Sequence, residues 1–146
     1  MTLKFLGDVD DARIPRICEA LASASSQLDP FPIRLSGLGC FPAARNARML
    51  WCGIDDPAGG CARWVGSADP LLESLGFERE ARAFTHVTLG RGRNLGGSDV
   101  LRQVLEGTAA PPAIEMIVED VVLFESRLSP QGARYAPVRT IRLGEQ

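Results

Sequence analysis

His86 and Thr88 stand two residues apart in Phe84-Thr85-His86-Val87-Thr88-Leu89, an apolar, β-branched run that holds the chain's single histidine. On a strand alternate side chains leave opposite faces, so the imidazole and the hydroxyl share one face, with Val87 and Leu89 expected in the core. A base fixed beside a hydroxyl suits phosphate chemistry. Imidazole moves a proton near neutral pH, and the hydroxyl can hold a non-bridging oxygen as charge develops on it. Met1-Thr2-Leu3-Lys4-Phe5-Leu6-Gly7 reads as a second copy of that strand, with Thr2 in the position of Thr88 and no histidine ahead of it. Two such strands facing across a groove would hold a phosphodiester between them. One neutral histidine would take a proton from water while a protonated one donates to the leaving oxygen, and a strained cyclic phosphate is a good candidate substrate. Such a reaction calls for no metal and no cofactor.

Each of these residues also has a plainer reading. His86 can be a half-buried sheet histidine bonded through one nitrogen, and Thr2 simply a β-former. Lys4 lies on the predicted face of Thr2, where it would help bind an anion or else only reach solvent. Arg91 and Arg93 follow closely in Gly90-Arg91-Gly92-Arg93, as anion contacts or as surface charge. That glycine-rich turn has neither the GxGxxG nor the GxxxxGK[ST] order, so it reads as a turn near a phosphate site and not as a nucleotide loop.

The elements that must position these groups are legible from periodicity. Thr2–Leu6 is a predicted strand, and a helix follows with Ile14, Ile17, Cys18 and Leu21 on one face, Pro15 being tolerable only in its first turn. Phe31–Cys40 and Met49–Ile54 read as strands joined by the loop Pro42–Arg48. Cys61, Trp64, Val65, Ala68, Leu72 and Leu75 form a helical stripe closed by Gly76. Asp69-Pro70 within it resembles a cap followed by a first-turn proline, so two short helices or one kinked helix fit equally. Ser98 can cap a third helix through Val100, Leu101, Val104 and Leu105. Ile114–Phe124 and Arg134–Leu143 are strand-like. Alternating polarity within several strands favours antiparallel or mixed sheets in an α+β or α/β protein. The order strand, turn, helix occurs after both Thr2 and His86, which suggests an internal duplication.

Composition bounds the rest. A chain of 146 residues, 45% apolar, fits one domain or two small lobes sharing a core. A net charge of −2 argues against a broad surface for duplex DNA or a membrane. Every basic residue except Lys4 is arginine, which genome composition explains as readily as anion binding. Cys18, Cys40, Cys52 and Cys61 have no CxxC spacing, and with one histidine they make a poor zinc set. Cys18 and Cys61 are expected in the core. No signal peptide and no long apolar run is present; free thiols in a reducing cytoplasm are the simplest account of the four cysteines, with disulfides the alternative.

Thr2-Leu3-Lys4-Phe5-Leu6-Gly7 together with His86-Val87-Thr88-Leu89 resembles the bacterial and archaeal 2'-5' RNA ligase family, also called RNA 2',3'-cyclic phosphodiesterases, within the two-histidine phosphoesterases. Leu38-Gly39-Cys40-Phe41-Pro42, Leu75-Gly76-Phe77, Leu123–Leu128 and Gly132-Ala133-Arg134-Tyr135 extend the resemblance over nearly all of residues 1–146. It implies a single α+β domain of two lobes, with two antiparallel or mixed sheets around a cleft and flanking helices. It also implies metal-independent hydrolysis of an RNA 2',3'-cyclic phosphate to a 2'-phosphate, joined in some members by 2'-5' ligation. His86 would be the catalytic residue, with Thr2, Thr88 and in supporting roles Lys4 and Arg91 binding phosphate. The partners implied are RNA ends or nucleotides carrying a cyclic phosphate. The departure is the absent first histidine, which would stand immediately before Met1. The sequence therefore reads as an N-terminally truncated member with weak or absent activity, restored if an upstream frame encodes that histidine. A homodimer would cover the sheet edge so exposed. A non-catalytic RNA-end or nucleotide-binding module, or a structural dimer, is the alternative.

Overall fold

A computed structural model describes residues 1–43, 46–79, 85–91, 105, 107, 113–130 and 132–145. The elements, in chain order, are a short 3-10 turn Asp11–Arg13, α1 (Ile14–Ser25), β1 (Phe31–Phe41), β2 (Met49–Asp55), α2 (Gly60–Ser74), β3 (His86–Arg91), β4 (Ile114–Val118), β5 (Asp120–Ser129) and β6 (Gly132–Arg142). This is an α+β fold with two sheets, one ordered β3-β2-β1-β4 and the other a β5-β6 pair. The registered pairs β1/β2, β2/β3 and β5/β6 are all antiparallel.

The chain divides into two compact units. One comprises residues 1–3, 32–58 and 84–116, the other residues 4–31, 59–83 and 117–146. The helical unit follows its sequence closely. Asp10 caps the entry turn by accepting from the Ala12 amide at 2.9 Å, and Pro15 sits in the first turn of α1, where its missing N–H costs nothing. Ile17, Leu21 and Ala24 of α1 pack on Cys61, Trp64, Val65, Ala68 and Leu72 of α2, with Ile141 and Leu143 at the end of β6 also buried. Cys18, expected inside, is only half-buried. Within this seam Trp64 Nε1 donates to the buried Ser25 Oγ at 3.0 Å. Gly60 opens α2 directly against Phe31, whose ring a Cβ at that position would approach to 2.2 Å.

Asp69-Pro70 does not split α2. The helix is continuous through Pro70, and the Asp69 carboxylate, instead of capping a new helix, receives Lys4 Nζ at 2.6 Å. Residues 2–6, expected as a strand, form none and pair with no sheet among the described residues. Lys4 within them is held by its ion pair, not by a ladder. The expected duplication therefore lacks its first strand. The single strand expected over Ile114–Phe124 breaks at Glu119 into β4 and β5, which belong to different sheets. The helix expected after Ser98 and the turn containing Arg93 lie outside the described residues, apart from Leu105 and Gly107.

Candidate functional site

The face of the four-stranded sheet that carries His86 is defined by register. His86 lies opposite Gly53, Thr88 opposite Trp51, and Arg91 opposite Met49. Residues 49, 51 and 53 alternate on one face of β2, and directly opposed residues share a face, so His86, Thr88 and Arg91 emerge together. For His86 and Thr88 the spacing of two already required this. For Arg91 it did not, because it stands three positions beyond Thr88 and a regular strand would send it to the other side. The register shifts between Leu50 and Trp51, leaving Leu89 as the extra residue of a β-bulge. That single insertion turns Arg91 back onto the histidine face. It also explains why Leu89, expected in the core, is 53% exposed.

The same face carries an aromatic floor that the sequence reading overlooked. Trp51 meets His86 edge-on, with ring centroids 6.5 Å apart and planes inclined by 63°. The indole lies down across the neighbouring strand, where a Cβ on Gly39 would fall 2.1 Å from Trp51 Cζ2. Gly39 is therefore the position that lets the ring lie flat. A second bulge, where Gly37 adopts φ 70°, keeps Gly39 opposite Trp51 and Ser36 opposite Gly53. Gly53 is itself tightly placed, since a Cβ there would meet the Ser36 carbonyl at 2.7 Å. Thr88 Oγ1 approaches Met49 Sδ at 3.6 Å and is exposed. Farther along, Arg34 pairs with Glu115 of β4 at 2.7 Å, both side chains substantially exposed. The signal for this floor was present as glycines and a tryptophan in adjacent predicted strands, but only their register shows that they stack.

The remaining site candidates separate. Thr2 is exposed and belongs with residues 1–3 to the unit that holds His86. Lys4 belongs to the helical unit, where its side chain is 6% exposed and its ammonium donates to Asp69 Oδ1 and to the Glu78 carbonyl, each at 2.6 Å. That engagement commits the Lys4 ammonium to two partners within the helical unit. A cavity of about 190 Å³ in the helical unit, lined by Arg13, Arg16, Ile17, Ser74 and Leu75, contains none of the candidate residues. Arg13 is already committed there: it donates to the Leu75 carbonyl and stacks 4.4 Å over the Phe77 ring. Among the described residues no three His, Cys, Asp or Glu side chains gather as a metal site, and no helix is long and apolar enough to cross a membrane.

Chemically, the β3 face offers an imidazole for proton transfer, a hydroxyl one register step away, and a guanidinium beyond it. That is an arrangement for holding and protonating an anionic oxygen.

Known proteins bear on this arrangement in three ways. Residues 1–51 match the family described as LigT like Phosphoesterase. An RNA 2',3'-cyclic phosphodiesterase of Methanothermobacter thermautotrophicus is 30% identical over 142 residues, covering 97% of this chain and 77% of the relative. One from Archaeoglobus fulgidus is 33% identical over 141 residues, covering 95% and 76%. The fold is shared with TT0787 of Thermus thermophilus at a TM-score of 0.76 and 21% identity, over 98% of this chain and 76% of that one. It is likewise shared with E. coli LigT complexed with 3'-AMP, at a TM-score of 0.69 and 20% identity, over 99% and 74%. The breadth and level of these matches place the chain in the RNA 2',3'-cyclic phosphodiesterase family of LigT-like phosphoesterases.

Proposed function

We propose that the β3 face binds the 2',3'-cyclic phosphate of an RNA end or nucleotide and promotes its opening to a 2'-phosphate. The observation that carries this reading is the common face of His86, Thr88 and Arg91, with Arg91 brought there by the bulge at Leu89. Thr88 donates to a non-bridging oxygen, Arg91 neutralises the phosphate charge, and Thr2 supplies a further hydroxyl. His86 transfers the proton. In hydrolysis, water adds to phosphorus and loses a proton, while the P–O3' bond breaks and O3' gains one. Support comes from relatives named as RNA 2',3'-cyclic phosphodiesterases and from the E. coli LigT structures with 3'-AMP, ATP and phosphate.

The chain's single histidine favours a second reading alongside this one. One imidazole serves one of the two proton transfers at a time, and loss of a positioned acid or base costs about 10²–10⁴-fold in rate. The 146-residue chain is therefore proposed to bind cyclic-phosphate ends while turning them over slowly. The test is an oligoribonucleotide ending in a 2',3'-cyclic phosphate, with binding and 2'-phosphate formation measured separately. His86→Ala should abolish the residual turnover and leave binding largely intact, whereas Arg91→Ala should weaken binding. Turnover unaffected by His86→Ala would remove the catalytic assignment, and binding unaffected by Arg91→Ala would remove the phosphate face.

A further inference from the structure

Charge is distributed unevenly along the histidine face of the four-stranded sheet. Residues 49, 51, 53 and 55 of β2 all lie on that face. Arg91 stands opposite Met49 at one end, His86 opposite Gly53 nearer the middle, and Arg34 opposite Asp55 at the other end. Met49 and Asp55 are six positions apart on β2, which separates the two ends by about 20 Å. All of these residues belong to one compact unit.

The two ends are opposite in sign. Arg48, exposed, immediately precedes Met49, and its amide donates to the Phe41 carbonyl at 2.9 Å. Opposed Cα atoms are about 4.5–5.5 Å apart and the rise is about 3.3 Å per residue, so the Arg48 and Arg91 backbones come within roughly 6 Å. Among the described residues neither of these guanidiniums has a carboxylate partner. Arg34, in contrast, is held by Glu115 of β4 at 2.7 Å, and the exposed Asp55 faces it across the ladder. Negative charge is therefore in excess at the Asp55 end, and positive charge at the Arg91 end. The separation of about 20 Å is about two Debye lengths at physiological salt, so one end does not cancel the other.

A 2',3'-cyclic phosphate closes the last ribose of an RNA, and the rest of the strand leaves that ribose from its 5' carbon. The next charge is a single phosphodiester, which must lie towards one end of the face or the other. Over Arg48 it meets an uncommitted cation; over Asp55 it meets surplus negative charge. We propose that Arg48 binds the phosphodiester on the 5' side of the terminal nucleoside, so that the RNA body leaves the site over the Arg48 end of the sheet. Resting on the cyclic-phosphate reading of His86, Thr88 and Arg91, this contact is what separates an RNA end from a bare nucleoside cyclic phosphate. Arg91 holds the reacting phosphate and Arg48 the one before it, each with a fork of donors suited to phosphate oxygens. A contact to the backbone carries no base information, so it serves any sequence.

Adenosine 2',3'-cyclic phosphate titrated with a 5'-hydroxyl and with a 5'-phosphate tests this, since the second compound carries the charge that Arg48 meets. The 5'-phosphate should tighten binding about tenfold, as a hydrogen-bonded contact to a charged group does. Arg48→Ala should make the two affinities equal, Arg48→Lys should keep part of the gain, and Arg91→Ala should weaken both compounds alike. With an oligoribonucleotide cyclic phosphate, Arg48→Ala should lower the slope of log affinity against log salt by about 0.7, the share of one contact on a single strand. Asp55→Asn should leave the gain from the 5'-phosphate as it is. A larger gain in Asp55→Asn would put the RNA body at the acidic end and overturn the proposal. A 5'-phosphate that adds nothing, or a gain that survives Arg48→Ala, overturns it too while leaving the cyclic-phosphate face standing. Failure of the 5'-hydroxyl compound to bind, or binding indifferent to Arg91→Ala, overturns that face and the Arg48 contact with it.

Discussion

Gly39→Ala isolates the packing that holds the aromatic floor beneath His86. A Cβ at residue 39 would lie 2.1, 2.4 and 2.5 Å from Cζ2, Cη2 and Cε2 of Trp51, where ordinary contact begins at 3.4 Å. The indole must therefore lift by roughly 1 Å or swing away from the strand it lies on. Overpacking of this kind costs about 1–3 kcal/mol. Against it stands the benefit of replacing a strand glycine, about 0.5–1 kcal/mol. With approaches as short as 2.1 Å the clash lies toward the upper end of its range, and the net loss is at most about 2.5 kcal/mol. Equilibrium denaturation followed by circular dichroism measures it. The informative comparison is the Trp51→Ala background, where the obstructing ring is gone. There the same Gly39→Ala change should become neutral or stabilising by about 0.5–1 kcal/mol. Because Trp51 meets His86 edge-on, Gly39→Ala should also lower cyclic-phosphate turnover by about 10²-fold, the cost of a roughly 1 Å displacement near reacting groups. An equal loss of stability from Gly39→Ala with and without Trp51 would refute the stacking argument.

Other perturbations probe the remaining supports. Lys4→Met should destabilise the fold by removing the ammonium 2.6 Å from the buried Asp69 carboxylate, and Lys4→Met/Asp69→Leu should recover much of that loss in a thermal melt. Trp64→Phe removes the donor to Ser25 Oγ, which is fully buried, and should cost about 1–3 kcal/mol by denaturant titration. Arg91→Lys should retain charge yet bind a cyclic-phosphate end several-fold more weakly in a titration, since a point charge replaces a fork of donors. Gly60→Ala should lower the melting temperature, because its Cβ would enter the Phe31 ring at the start of α2.

The contrast between Arg91 and Lys4 shows where local pattern ends. The sequence by itself determined what short-range periodicity can carry: His86 and Thr88 on one strand face, the apolar stripe of α1, and the glycine-closed end of α2 at Gly76 (φ 87°). Each follows from a repeat of about two or 3.6 residues within a single element. Lys4 has the alternation of a strand residue, yet its partner Asp69 is 65 residues away, and a long-range ion pair leaves no local signature. Residues 2–6 show why β-like composition is insufficient, since a strand exists only where another strand accepts its backbone hydrogen bonds. Arg91 was named from proximity alone, and its side is decided by one unpaired residue, Leu89, against β2. Trp51 and Gly39 are ordinary strand residues until register brings them face to face. Tertiary structure settled these matters because a bulge inverts side-chain parity, and only the pairing of two distant segments says where the bulge falls.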